Sequence, residues 1–222
     1  MSDGILLLPG SSGWKGSKAY QDMFTEWENE ARRCGFSPHL VSYPGQDPCA
    51  PEERLTLEGA IRVTRSACDE TRPTWMIARS FGCQVALGAV ASGGPWLSSL
   101  RGVTLWGPCL LSTYQRMWPT LESQLASAEG YRRYGTFIEP EFYAGTALET
   151  LVRDAACHIR IVRGSSDEYS ISEDLAFLAS IHRRFQFRWS CTTVELNGLT
   201  HKAHASEMTD PVAKAYFDAL FP

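Results

Sequence analysis

The sequence predicts an α/β fold built on a mostly parallel sheet of about six strands, with helices on both faces. Three observations carry that prediction. Short apolar runs alternate with longer stretches of helical periodicity almost throughout the chain. The runs are continuously apolar, as in Ile5-Leu6-Leu7-Leu8, which suits strands covered on both sides. Several runs stop at turn residues, such as Pro9-Gly10-Ser11-Ser12-Gly13 after the first and Gly107-Pro108 after the fourth.

The elements follow in order. After the first strand, Tyr20, Phe24, Trp27, Ala31 and Cys34 recur at spacings of four and three, an apolar helical stripe that Gly35 caps. Pro38 to Tyr43 reads as the second strand, closed by Pro44-Gly45. A helix over about 53–71 is stopped by Pro73. The apolar run ending at Ser80 is the third strand, and the Ala/Val/Leu-rich stretch after it is a helix that Gly93-Gly94-Pro95 stops. Gly102 to Trp106 is the fourth strand. From Cys109 to Ala156 the pattern changes to aromatic and charged amphipathic helices broken by Gly and Pro. His158 to Arg163 resumes the sheet and runs into Gly164-Ser165-Ser166-Asp167. A helix capped by Ser170 or Ser172 then shows Leu175, Leu178, Ala179 and His182 on one face. Thr192 to Leu196 is the last strand, leading to Asn197-Gly198-Leu199-Thr200-His201. A final helix carries Val212, Tyr216 and Leu220 in register.

Bulk properties narrow the function. A chain of 222 residues, 44% apolar, suits one domain, residues 1–222, with a substantial core. A net charge of −4 without a basic run argues against nucleic acid or an anionic membrane as partner. No signal peptide and no membrane span are expected from Met1-Ser2-Asp3-Gly4 and the short run after it. The seven cysteines are scattered and lack a C-x-x-C pair, which predicts reduced thiols, most of them buried, in a cytoplasmic protein. No His/Cys cluster has metal-ligand spacing, so neither metal nor cofactor is expected.

A parallel sheet places its chemistry in loops at the carboxyl ends of its strands. Here those loops hold Pro9 to Gly13, Ser80, Pro108, Asp167 and His201. Ser80 sits on a one-residue corner between strand and helix, with small residues two positions away on each side, Ala78 and Gly82. This stretch resembles the nucleophile elbow of the α/β-hydrolases, G-x-S-x-G, with Ala in place of the first Gly. The family's chain order of nucleophile, acid and histidine is met by Ser80, Asp167 and His201, each directly after a strand. The resemblance covers the whole chain. It implies a small serine hydrolase lacking the family's first two strands, with residues 109–156 as a helical lid.

The resemblance also implies roles. Ser80 would be nucleophile, Asp167 the orienting acid and His201 the base. Backbone N–H groups of Phe81 and Ser11 would form the oxyanion hole, with Ser12 the alternative to Ser11. The plainer readings are a helix cap for Ser80, a solvated loop carboxylate for Asp167 and a surface role for the neighbouring His204. Glu168 and Asp174 are the other acid candidates. His39, His158 and His182 read as structural. Trp14, Arg79, Trp106, Tyr114 and Trp118 are candidates for contacting a small-molecule substrate. The lid's aromatic residues, which include Tyr131, Tyr134, Phe137, Phe142 and Tyr143, suit an apolar or aromatic group, or simply pack the lid down. Arg79, Arg116, Arg132 and Arg133 are candidates for pairing a substrate carboxylate. An esterase or thioesterase is the expected activity, with amide cleavage behind it. The alternatives are an acyltransferase, cyclase, lyase or epimerase on the same fold, or a non-catalytic binding protein. Oligomeric state and substrate identity have no sequence signal.

Overall fold

The computed structural model describes residues 3–12, 18–46, 53–132, 136–138, 148–186 and 188–222. Its centre is a six-stranded sheet of β1 (Gly4–Leu8), β2 (Ser37–Leu40), β3 (Trp75–Arg79), β4 (Gly102–Trp106), β5 (His158–Gly164) and β6 (Cys191–Leu196). The order across the sheet is β2-β1-β3-β4-β5-β6, and every neighbouring pair is parallel. Each parallel return needs a crossover, which explains the helices between strands. They are α1 (Lys18–Arg33), α2 (Leu57–Thr71), α3 (Phe81–Ser92), α4 (Leu111–Met117), α5 (Leu121–Arg132), α6 (Leu148–Asp154) and α7 (Ser172–Phe185), and α8 (Asp210–Leu220) follows the last strand.

Continuous apolarity in the strands feeds two cores. Leu6, Leu8, Met76, Ala78, Val103, Leu105, Ile159 and Ile161 face one side, under α2, α3, α6 and α7. Ile5, Leu7, Ile77, Trp106 and Val162 face the other, under α1 and α8. The period of two along each strand makes that division. On the second side the Trp27 indole N–H donates to the Tyr216 hydroxyl at 2.9 Å, tying α1 to α8. Helix α3 has no polar face, and Phe81 through Val90 are all buried, Gln84 among them.

Five local expectations are corrected. Strand β2 ends at Leu40 rather than Tyr43: Val41 and Tyr43 are apolar because they are buried, not because they extend the strand. The α1 stripe is buried at Phe24, Trp27 and Ala31, whereas Cys34 is exposed and Tyr20 is half-buried. Neither Ser170 nor Ser172 caps α7; Ile171 holds the cap position with no side-chain bond, and Ser172 donates to Glu195 instead. On α8, Val212 is exposed while Tyr216 and Leu220 are buried. Helix α2 starts at Leu57, with Thr56 as cap accepting the Gly59 N–H at 3.0 Å.

Between β4 and β5, α6 packs on α3 and α7 and buries Leu148, Leu151 and Val152. Helix α5 buries none of its residues. Nearby, Phe137 exchanges backbone bonds with Gly45 and Leu55, which ties this segment to the loop after β2. Cys68, Cys83, Cys109 and Cys157 are buried, and none of the six described cysteines is in a disulfide. No described helix is long and apolar enough to cross a membrane.

Candidate active site

Ser80 lies between β3 and α3 with φ 52° and ψ −119°, one of two described non-glycine residues at positive φ. Its side chain makes no bond to the helix start, which sets aside the capping role. The corner is held by the Ser80 N–H donating to the Trp106 carbonyl and the Cys83 N–H donating to Ser80 O, both at 2.9 Å. Gly82 is needed there because a Cβ would stand 2.5 Å from Pro9 O and 2.7 Å from Leu8 O. Ser80 Oγ lies 4.0 Å from Cys109 Sγ.

The loops after β5 and β6 join backbone to backbone. Ser165 N–H donates to Leu196 O and Ser166 N–H to Leu199 O, at 2.9 and 3.0 Å. Gly164 permits this approach, since its Cβ would lie 1.9 Å from Leu199 O. The result sets His201 Nδ1 at 2.8 Å from Asp167 Oδ2. The other carboxylate oxygen, Oδ1, accepts the N–H groups of Tyr169 and Ser170 at 2.9 and 3.1 Å. Arg163, buried on β5, braces this loop through Asp167 O and an ion pair to Glu195. Asp167 therefore pairs with His201 and not His204, while Glu168 is exposed and Asp174 belongs to α7.

By sequence, no protein-family model and no curated protein matches this chain. By structure, the esterase domain of a Rhodothermus marinus protein aligns over 98% of this chain and 84% of its own, at TM-score 0.62 and 18% identity. Est1E from Butyrivibrio proteoclasticus, solved with ferulic acid bound, aligns over 98% and 89% at TM-score 0.67 and 13% identity. A monoacylglycerol lipase from Paleococcus ferrophilus aligns over 98% and 93% at TM-score 0.66 and 14% identity. The chain has the α/β-hydrolase fold. Identities this low carry the architecture and not the activity.

In this α/β-hydrolase fold a cavity of about 480 Å³ opens at the carboxyl ends of the strands, and both Ser80 and His201 line it. No hydrogen bond joins them in this structure. Catalytic hydrogen bonds are often long before substrate binds. Ser11, Arg79, Tyr114 and Trp118 also line the cavity. Trp106 does not: it sits on the opposite side of the sheet, ring against Tyr216 at 5.1 Å, because its place in the strand alternation turns it toward α8. Trp14, Arg133, Tyr134, Phe142 and Tyr143 lie outside the described residues. Phe81 is the first residue of α3, its N–H at the positive end of the helix dipole and its ring against Tyr43.

Several contacts at the site carry no sequence signal. Gln46 donates to the Gly10 and Ser11 carbonyls at 2.7 and 3.0 Å, fixing the loop after β1. Ser11 Oγ donates to the Tyr131 hydroxyl of α5 at 3.0 Å. The Tyr169 ring lies 4.7 Å from the His201 ring, and Tyr20, Cys109 and Lys202 also line the cavity.

The electrostatics suit proton transfer. Burial pushes His201 down, the Asp167 hydrogen bond pulls it back up and Arg79 pushes it down again, so its pKa lies below 6.5. Burial raises Asp167, but the His201 bond and charge and two backbone N–H groups outweigh it and keep the carboxylate below its ordinary value. The Cys109 thiol beside Ser80 is pushed up to about 12 by burial and by Asp167, which leaves it protonated and a poor nucleophile. Among the described residues no His, Cys and carboxylate cluster fits a metal ion.

Proposed function

We propose that this protein is a serine hydrolase that cleaves an ester or thioester of a small, partly aromatic substrate through an acyl-enzyme on Ser80. The carrying observation is the strained Ser80 corner facing a cavity shared with a histidine whose Nδ1 is engaged by a buried carboxylate. Neutral His201 takes the Ser80 proton as Oγ attacks the carbonyl carbon. Asp167 holds the ring and stabilises the imidazolium. The N–H groups of Phe81 and Ser11 receive the oxyanion, and Gln46 keeps the Ser11 loop in position. His201 then returns the proton to the departing oxygen or sulfur. Water, deprotonated by His201, releases the acid and restores Ser80. Tyr114, Trp118 and Tyr131 supply the apolar wall, and α4 and α5 serve as the lid.

Turnover of p-nitrophenyl esters of graded acyl length tests this reading. Ser80→Ala and His201→Ala are each expected to lower kcat by about 10³-fold or more, and His204→Ala by far less. Equal losses in His201→Ala and His204→Ala, or full activity in Ser80→Ala, would overturn it.

A further inference from the structure

Among the described residues, those lining the cavity beside Ser80 include Arg79 and Lys202, and no aspartate or glutamate. Lys202 is exposed, as is usual for lysine. Arg79 is only 2% exposed, and no described carboxylate forms an ion pair with it. Buried cations are ordinarily paired, because desolvating a charge is costly. The guanidinium instead donates Nη2 to the His201 carbonyl at 2.9 Å and lies 5.0 Å from the Tyr20 ring, while its buried Nε has no acceptor. Burial raises the Tyr20 phenol, but the Arg79 charge, hydrogen bonds with Ser12 and Arg79 and the Lys202 charge together hold it below its ordinary value. Among the described residues, this corner of the cavity therefore holds two cations and no carboxylate paired with Arg79.

We propose that the leaving-group half of the substrate bears a carboxylate, held on the side of the cavity formed by Tyr20, Arg79 and Lys202. The inference rests on the Ser80–His201 reading for its direction. His201 protonates the departing atom, so the leaving group lies on the His201 side. Lys202 follows His201 directly in the chain, and Arg79 holds the His201 carbonyl. Lys202 pairs with the carboxylate. Arg79 acts through its field, which weak solvent screening strengthens in a buried site. The alcohol or thiol leaves with the proton that His201 took from Ser80, and the carboxylate passes through unchanged. Tyr114, Trp118 and Tyr131 are left to the acyl half.

Binding of para-hydroxybenzoate and of its neutral isostere para-hydroxybenzamide to the Ser80→Ala protein, by calorimetry at low salt, tests the anion site without catalysis. The benzoate is expected to bind about tenfold tighter, the scale of one charge-assisted contact. Lys202→Gln and high salt should each reduce that preference. Equal or weaker binding of the benzoate, or none detected, overturns the proposal. So does a preference that survives both Lys202→Gln and Arg79→Gln. Hydrolysis of para-acetoxybenzoate against para-acetoxybenzamide by the wild-type protein separates the two readings. Ser80-dependent cleavage of both at equal kcat/KM overturns the carboxylate preference and leaves the serine mechanism standing. Selective, Lys202-dependent binding of the benzoate without cleavage of either ester overturns the serine mechanism and leaves the anion site standing.

Discussion

At φ 52° and ψ −119°, Ser80 holds a conformation that costs a non-glycine residue about 1–3 kcal/mol, and buried Ala78 and Gly82 make room for it. The sequence shows this directly, because small residues two positions to either side are a local requirement. Gly107 is a different case. Its own φ is 55°, and a Cβ there would stand 2.8 Å from His201 Nδ1 and 2.9 Å from Asp167 Oδ2. In the sequence it is only the turn after a strand, since the residues it accommodates lie 60 and 94 positions away. Gly107→Ala is expected to push the His201–Asp167 pair apart and lower kcat by about 10²-fold, read from steady-state kinetics beside a circular dichroism check that the fold survives. Unchanged kcat in the folded variant would contradict that geometry. The pH profile tests the same pair. The reactive form of His201 is the neutral ring, so kcat/KM for a neutral ester falls as pH drops through its lowered pKa. The acid limb should have its midpoint below 6.5. Arg79→Gln removes one lowering influence and should move that midpoint upward. A wild-type midpoint above 6.5 would be inconsistent with a buried base.

Helices α3 and α5 show how elements of one length, 12 residues each, take opposite places in the fold. All of Phe81 through Val90 in α3 is buried, whereas α5 buries nothing and leaves Leu121 and Leu125 exposed at 60% and 52%. Local stability follows burial. Amide hydrogen exchange by mass spectrometry should therefore be much faster in α5 than in α3, and comparable protection in the two would contradict α5 as a lightly held cover. Element legibility follows the same physics. Strand β4 is read at both ends because Gly102 opens its five buried residues and Gly107 follows the last. Strand β2 is read too long, since Val41 and Tyr43 are as apolar as strand residues yet serve the core beyond the ladder. In α1 the stripe is correct at its centre, but Tyr20 at one end turns to the cavity and Cys34 at the other to solvent.

The whole molecule gathers loops that are far apart in the chain into one mouth. Alternation makes the parallel sheet readable from residues alone, while the resemblance to the α/β-hydrolases is what singles out Ser80, Asp167 and His201 among the strand-end residues. Side-chain direction and loop-to-loop contact are not readable in that way. Trp106 was an equal candidate with Tyr114 and Trp118 until strand register turned it under α8. Gln46 gains its role only when the loops after β1 and β2 meet, and Tyr131 only when α5 reaches Ser11 across 120 positions. The presence of two cations in the cavity wall is likewise a product of topology, joining Arg79 of β3 to Lys202 beyond β6. The proposed function turns on the reactivity of one oxygen, Ser80 Oγ. Intact-mass analysis after reaction with a fluorophosphonate probe tests that most directly, using the wild type and Ser80→Ala side by side. A single adduct on the wild type, mapped to the Ser80 peptide and missing from the folded Ser80→Ala protein, is the predicted result. An unlabelled wild-type protein, or an adduct that persists in Ser80→Ala, would contradict the account.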